Sequence, residues 1–127
     1  MSFLKVRNAH RTENTEDYLE LIAELHNTNG EARIVDIAKR LGIAQATANK
    51  TIKRLQAQGY IKREPYRSLF LTIKGQKIAS YSKKRHNTVY NFLLNLGLDS
   101  KTAEVDSEGI EHHVSKKTLK KMERFNK

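Results

Sequence analysis

Apolar residues recur at helical spacing through most of the chain, and the clearest series lies near its start. Its members stand at i, i+3, i+4 and i+7: Tyr18, Leu21, Ile22 and Leu25. This spacing places them on one face and predicts an amphipathic helix. We expect Asn14 or Thr15 to cap that helix and Gly30 to end it.

The next segment predicts two short helices joined by a tight turn. The first ends at Gly42 and has an apolar face of four residues: Ile34, Ile37, Ala38 and Leu41. The second extends from Gln45 to Gln58 and buries three residues: Ala48, Ile52 and Leu55. This pattern is a helix-turn-helix, although a helix pair on its own more often reflects simple packing.

A strand, a turn and a second strand are expected after the second helix. Gly59 ends the helix, residues 60–63 and 69–71 predict the strands, and residues 65–68 predict the turn. A helix-turn-helix followed by a β-hairpin is a winged helix. Arg67 lies at the hairpin tip, where it is placed to contact a DNA backbone or minor groove.

The remainder of the chain predicts three more helices. Thr72 caps the first, which continues through Asn95 and is basic early and apolar late. Ser100 and Ser115 are the expected caps of the other two, and the last extends through Phe125. The apolar half of the long helix favours a dimer core. The expected fold is mainly α, with a winged helix-turn-helix domain followed by a small helical domain.

Composition and charge narrow the function classes. The 127 residues contain no cysteine, which excludes disulfide scaffolds, thiolate zinc sites and cysteine nucleophiles. No apolar run is long enough for a signal peptide or a bilayer span, so we expect a cytoplasmic protein without a membrane partner. Residues 31–88 carry a net charge of +11, whereas residues 12–30 and 99–114 carry −5 and −4. This distribution predicts two sites of opposite sign.

The basic middle of the chain contains the predicted DNA-binding residues. They lie on the second helix of the pair and at the hairpin tip: Gln45, Thr47, Asn49, Lys50, Lys53 and Arg67. These residue types reach base edges and phosphates, and Gln45, Thr47 and Lys50 near the helix start are the candidates for reading bases. One such helix reads only a few base pairs, so we expect a homodimer on a palindromic operator of double-stranded DNA.

The acidic segments contain candidate metal ligands at helical spacing. Glu108, Glu111 and His112 stand at i, i+3 and i+4, and Asp17 and Glu20 stand at i and i+3. His86 is an isolated imidazole on the basic helix. Six such ligands suit one six-coordinate cation or a pair sharing carboxylates, and they fit Mn²⁺, Fe²⁺, Co²⁺ or Zn²⁺. The alternative is that these carboxylates are polar surface or complement helix dipoles.

Four segments resemble a known family: TEDYLELIAEL, LTIKGQKIA, RHNTVYNFLLNLG and, above all, DSEGIEHHVS. With the winged helix, they resemble the metal-dependent repressors of the diphtheria toxin repressor family, specifically its manganese transport regulator branch, over about residues 14–115. The resemblance implies a manganese-responsive repressor of metal-uptake genes that is not an enzyme. We therefore predict a DNA-binding domain over residues 14–73 and a dimerisation and metal-binding domain over 74–127, preceded by a basic extension over residues 1–13.

The resemblance also implies a metal site. Its ligands would be Asp17, Glu20, His86, Glu108, Glu111 and His112, holding two Mn²⁺ ions per subunit, and other divalent transition metals fit the same ligands. Iron-responsive relatives present a thioether in the first helix where this chain has Asp17, a harder ligand that suits Mn²⁺. We expect Glu111 and His112 to lie on a surface rather than in a core.

Two other functions compete with this interpretation. One is a winged-helix regulator that responds to an organic ligand, with the acidic faces purely structural. The other is a small di-metal hydrolase, which would leave the +11 middle of the chain unexplained.

Overall fold

A computed structural model describes the backbone of residues 3–64 and 68–127 and the side chains of residues 14–64 and 68–127. Over these ranges there are six helices and one two-stranded sheet: α1 (Phe3–Asn29), α2 (Ile34–Leu41), α3 (Gln45–Ala57), β1 (Ile61–Arg63), β2 (Leu69–Leu71), α4 (Ile73–Asn95), α5 (Ser100–Glu111) and α6 (Lys116–Phe125). The predicted mainly α fold with a winged helix-turn-helix is confirmed. No helix in the described ranges is long and apolar enough to cross a bilayer.

The chain divides into two compact units. The winged-helix unit comprises Asn14–Ser80, and the helical unit comprises Tyr81–Lys127 together with the segment before Asn14. The division therefore falls within helices α1 and α4. The domain boundaries predicted from the sequence, after residues 13 and 73, stay predictions.

The core of the winged-helix unit is apolar, and helices α1, α2 and α3 and both strands supply it. Its fully buried large side chains are Leu19, Ile22, Leu25, Ile37, Ile52, Leu55 and Leu69. The predicted apolar faces of α1 and α3 are thus confirmed. Helix α2 ends where expected, at Gly42, whose φ of 69° lies in the left-handed region that glycine adopts without a Cβ clash.

The predicted start of α1 is wrong. The helix begins at Phe3, so Asn14 and Thr15 lie inside it rather than at its cap. No glycine or proline interrupts residues 3–13, so nothing in that segment forces the helix to begin later. The Asn14 and Thr15 side chains instead accept hydrogen bonds from the Arg54 guanidinium on α3, at 3.2 and 3.4 Å.

The β-hairpin is anchored to the connection between α1 and α2. Strands β1 and β2 pair antiparallel, with Arg63 opposite Leu69. At the hairpin base, the Leu69 amide donates to the Ala32 carbonyl, and the Ala32 amide donates to Ser68 Oγ, both at 2.7 Å. The turn over residues 65–67, and with it the predicted DNA contact Arg67, lies outside the described residues.

The start of α4 is held against the hairpin. Thr72 Oγ1 accepts a hydrogen bond from the Gly75 amide at 3.1 Å, which confirms the predicted cap. A Cβ at Gly75 would collide with the carbonyl oxygen of Tyr60. Glycine therefore permits the helix to pass this close to Tyr60, the residue that precedes β1, since any side chain would push the two apart.

In the helical unit, α4, α5 and α6 pack around a small apolar cluster. Val89, Leu93 and Ala103 are its buried members, and Leu119 and Met122 of α6 pack against them. Much of the apolar half of α4 is therefore covered by its own chain. The large apolar side chains left exposed near this cluster are Leu96, Leu98, Val105 and Phe125.

One predicted cap in this unit is correct and one is wrong. Ser115 caps α6, since its side chain accepts from the Thr118 amide. Helix α5 is capped by Asp99 rather than Ser100, and the Asp99 carboxylate accepts from the Thr102 amide. Both residues are good N-cap types, and the backbone places Asp99 in the extended conformation that the cap requires.

Candidate DNA-binding surface and metal site

The predicted recognition surface on α3 is exposed. Ala48, Ile52 and Leu55 of α3 are buried, whereas four predicted DNA-binding residues of the same helix are exposed: Gln45, Thr47, Lys50 and Lys53. Their amide, hydroxyl and ammonium groups can reach base edges and phosphates. Their contact with DNA stays a prediction.

Two polar residues of α3 have structural partners within the winged-helix unit. Asn49 is half-buried, and its Oδ1 accepts a hydrogen bond from Arg63 of β1 at 3.3 Å. Arg54 donates to Asn14 and Thr15, so it fastens α3 to α1. Arg63 is an exposed cation beside the recognition helix that sequence reasoning did not single out, although it stands in the predicted strand.

A carboxylate in contact with imidazole lies inside the helical unit. Glu111 is only 5% exposed, and its Oε2 lies 2.6 Å from His86 Nδ1. Its other oxygen lies 3.5 Å from Nε2 of His112. Three of the six predicted ligands therefore come together around one buried carboxylate group.

Burial sets the electrostatics of this cluster. Desolvation raises the pKa of Glu111 above its ordinary value, and the hydrogen bond from His86 is the main effect that opposes the rise. The charges of His86, His112 and Arg85 lower the pKa further, in that order, without cancelling the effect of burial. An ionised carboxylate in this position is costly unless a cation accompanies it.

Two further residues take part in the cluster that sequence reasoning did not propose. Glu104 Oε1 lies 3.7 Å from His86 Nε2. Arg85 Nη2 lies 3.3 Å from His112 Nδ1, so the guanidinium donates to that ring nitrogen. The sequence did contain an indication for Glu104. It precedes the predicted ligand Glu108 by four residues on the same helix, a spacing that places the two side chains on one face. Arg85 stands in the basic first half of α4, and the sequence pattern gave no reason to place it beside His112.

The expectation that Glu111 lies on a surface is wrong. Residues four apart on α5 form a buried stripe: Ala103, Ser107 and Glu111. Glu111 continues this stripe by one turn, so its side chain points into the unit rather than to solvent. His112 is largely buried as well, with a side chain 10% exposed.

The other predicted ligands are more accessible. Glu108 is exposed on α5, and in the winged-helix unit Asp17 is exposed and Glu20 half-buried on α1. Among the side chains that the structure describes, no group of three or more histidine and acidic residues forms a ready-made metal site. The arrangement around Glu111 is a set of carboxylate–imidazole contacts, which has the donor chemistry of a Mn²⁺ site.

A winged helix with exposed cations and a carboxylate–imidazole cluster together indicate a DNA-binding protein regulated by a cation. Comparison with known proteins supports both parts of this interpretation. The family model of the iron dependent repressor N-terminal DNA binding domain matches residues 10–69. That of the iron dependent repressor metal binding and dimerisation domain matches residues 72–127. This chain belongs to the iron dependent repressor family, and the resemblance identified from the sequence is confirmed.

Individual relatives point the same way. The chain is 51% identical over 117 residues to the transcriptional regulator MntR of Escherichia coli O6:H1, covering 92% of this chain and 76% of the relative. It is 39% identical to the HTH-type transcriptional regulator MntR of Bacillus subtilis, covering 82% and 73%. The solved structure of the manganese regulator SloR is 26% identical with a TM-score of 0.75. That match covers 87% of this chain and 52% of SloR, so the chain spans about half the length of that neighbour.

Proposed function

We propose that this chain is a manganese-responsive transcriptional repressor of metal-uptake genes. The observation that carries the proposal is the buried Glu111 carboxylate with His86 and His112 beside it, in the same chain as a winged helix with an exposed recognition surface. The names of its relatives support manganese as the metal. DNA binding in turn implies a cytoplasmic location.

The proposed ligands are the six residues named from the sequence. His86, Glu108, Glu111 and His112 belong to the helical unit, and Asp17 and Glu20 belong to α1 of the winged-helix unit. Two Mn²⁺ ions per subunit, sharing carboxylates, suit this number of ligands. Glu111 would contribute its carboxylate to the bound cation, whose positive charge would offset the desolvation of that group. Imidazole nitrogens of His86 and His112 then act as neutral ligands, which requires that they stay deprotonated.

Metal and DNA are coupled in this proposal. If metal-bound protein binds the operator more tightly, then DNA raises the metal affinity by the same factor, because the two equilibria are linked. Couplings of this kind are typically about 1–3 kcal/mol, which corresponds to roughly 5- to 150-fold in affinity. The operator is proposed to be a palindrome bound by a homodimer. The exposed Leu96, Val105 and Phe125 offer apolar surface for the dimer contact.

The test is a selection followed by a titration. A library of random 40-bp duplexes is selected on the protein in Mn²⁺, and the enriched duplex is then titrated in Mn²⁺, in Mg²⁺ and in chelator. We expect a palindromic sequence and an affinity at least 5-fold higher in Mn²⁺ than in the other two conditions. Equal affinity in all three conditions would contradict the proposal and favour a regulator that responds to an organic ligand.

Asp17 tests the choice of metal. Replacing its oxygen by a thioether in Asp17→Met should favour Fe²⁺ or Co²⁺ over Mn²⁺ as activators of DNA binding, because sulfur is a softer ligand. Operator affinity measured against free metal concentration, for each ion and both proteins, decides the question. An unchanged ranking would mean that Asp17 does not set the metal preference. A non-enzymatic role also stays a prediction, and phosphoester turnover assays with Mn²⁺ check it.

A further inference from the structure

Helix α6 presents a cationic surface that neither the recognition helix nor the metal site accounts for. Its five basic side chains are all exposed: Lys116, Lys117, Lys120, Lys121 and Arg124. The helix contains one acidic residue, Glu123, so its net charge is +4. We refer to these five cations as the α6 surface.

Packing determines which way the α6 surface faces. Leu119 and Met122 pack into the apolar cluster of the helical unit, on the side of α6 away from the cations. The Phe125 ring meets Phe92 edge-on, with centroids 5.2 Å apart. Asn126 Nδ2 donates to the Thr88 carbonyl at 3.0 Å, which ties the end of α6 to α4. The α6 surface therefore faces away from the apolar cluster, on a helix that packs against the rest of the helical unit.

The positions of the charges on α6 lower the stability of the isolated helix. Lys116 and Lys120, Lys117 and Lys121, and Lys120 and Arg124 are like-charged pairs at i, i+4, and such pairs destabilise a helix. Two of the lysines stand in the first turn, where the helix dipole favours acidic residues instead. An external polyanion would relieve both penalties.

The chain itself provides little compensation for these charges. Glu123 Oε1 lies 3.9 Å from Nζ of Lys84 on α4, so the single acid of α6 pairs with a cation outside the α6 surface. Over the residues described by the structure, no ion pair joins a cation of the α6 surface to a carboxylate.

We propose that the α6 surface is a second DNA-binding surface, which contacts phosphates without reading sequence. Helix α6 is about 15 Å long, and its five cations lie within about three turns. A DNA duplex offers a phosphate about every 1.7 Å of its axis, so a helix of this length can meet several of them. The inference rests on the proposed DNA binding. DNA bound by the winged helix is a polyanion held at high local concentration near the rest of the same chain.

The test compares two double variants with equal charge loss in the same unit. Lys117→Gln/Lys121→Gln removes two cations of the α6 surface, and Lys83→Gln/Lys101→Gln removes two exposed cations outside it. Affinity for a 60-bp duplex of arbitrary sequence is measured by fluorescence anisotropy over a salt series. We expect the α6 variant to lower the slope of log K against log salt by about 0.9 for each phosphate that it no longer neutralises. The matched variant should leave the slope unchanged.

The outcomes separate this inference from the proposed function. Equal decreases of the slope in both variants would show an effect of net charge alone, which would overturn the inference. The inference would also be overturned if the slope decreased in neither variant. If Lys53→Ala weakens binding while the α6 variant does not, DNA binding by the winged helix stands and the inference fails. Lys117→Arg/Lys121→Arg should retain the slope. Thermal unfolding checks that each variant folds, and removing like charges should not lower the α6 variant's Tm.

A second measurement reports on the lysines directly. Lysine acetylation, quantified by mass spectrometry, is compared for the protein alone, with the 60-bp duplex, and with an RNA hairpin of equal length. We expect the duplex to protect Lys117, Lys120 and Lys121, and to leave Lys101 reactive. Protection by RNA but not by DNA, or no protection, would overturn the proposal.

Discussion

The two units of this protein differ in where their charged side chains lie and in what those side chains contact. In the winged-helix unit, the fully buried large side chains are apolar, a carboxylate, Glu16, is 8% exposed, and both lysines of α3 and both cations of β1 are exposed to solvent. In the helical unit, the apolar cluster is small and a carboxylate, Glu111, is buried beside it. An exposed cation adds little to the free energy of the folded state and is free to bind an anion. A buried ionised carboxylate destabilises the folded state unless a cation binds beside it. The first arrangement suits phosphate binding and the second suits metal binding.

The same contrast appears at the two ends of helix α5. Asp99 begins the helix in solvent, and its hydrogen bonds with Thr102 lower its pKa below the ordinary value. Glu111 ends the helix in the interior, and burial raises its pKa. Identical chemistry therefore has opposite electrostatic consequences at the two ends, because one carboxylate is solvated and hydrogen-bonded by amide and hydroxyl donors while the other is desolvated.

The largest expected effect comes from removing the buried carboxylate's charge. Glu111→Gln keeps the side-chain volume but removes a proposed ligand, so the Mn²⁺ response of DNA binding should be abolished. Changing an outer-shell partner typically costs 10- to 100-fold in metal affinity, and a direct ligand should cost at least as much, about 100-fold. Calorimetry with Mn²⁺ measures the affinity. Glu123→Gln is the control, and an unaffected Mn²⁺ affinity in Glu111→Gln would place the site elsewhere.

Two substitutions on α3 should separate base reading from phosphate binding. Gln45→Ala should cost about 1–3 kcal/mol on the selected operator and little on arbitrary DNA, because it removes a hydrogen-bonding group that reads a base edge. Lys53→Ala should weaken binding to all sequences alike and lower the salt slope by about one. Anisotropy titrations on both duplexes measure these effects. A sequence-selective decrease in affinity from Lys53→Ala would contradict its assignment to phosphate.

The attachment of the hairpin can be broken without touching any cation. Ser68→Ala removes the acceptor of the buried Ala32 amide, and an unsatisfied buried donor costs about 1–3 kcal/mol. Urea unfolding measures the decrease in stability. Ser80→Ala, at an exposed helical position of the same unit, should change stability by far less. Equal effects from the two variants would mean that the Ser68 hydrogen bond does not stabilise the hairpin.

The smallest expected effect is a pH dependence of stability in metal-free protein. Above the ordinary pKa of 4.5, unfolded Glu111 has given up its proton, whereas the folded protein still holds it because its pKa is raised. Folding therefore binds a proton in this window, and the free energy of unfolding falls as pH rises through it. Asp99 contributes with the opposite sign, since its stabilisation disappears as pH falls through its lowered pKa.

Variants separate the two contributions. Urea unfolding in chelator at steps from pH 3 to pH 7 should show a shallower decrease in stability with rising pH, above pH 4.5, in Glu111→Gln than in the parent protein. Asp99→Asn should instead remove an increase with rising pH, at the low end of the range. A parent and a Glu111→Gln variant with identical pH profiles would show that the burial of Glu111 does not perturb its titration.

Much of the fold could be predicted from local pattern. The apolar spacing in α1 and α3, the glycine that ends α2, and the caps Thr72 and Ser115 each depend on residues close together in the chain. The start of α1 could not be predicted in this way, since Asn14 and Thr15 are good caps by type. They take part instead in a contact with Arg54, some forty residues away.

For the candidate site, the sequence by itself determined the residue types and their helical spacing, hence the chemistry of carboxylate with imidazole and the separation of basic and acidic segments. Only the tertiary structure decided that Glu111 is buried, that His86 meets it across 25 residues of chain, and that Arg85 and Glu104 join them. The physical reason is that spacing defines a face of one helix. Desolvation and pairing depend on which other helix packs against that face.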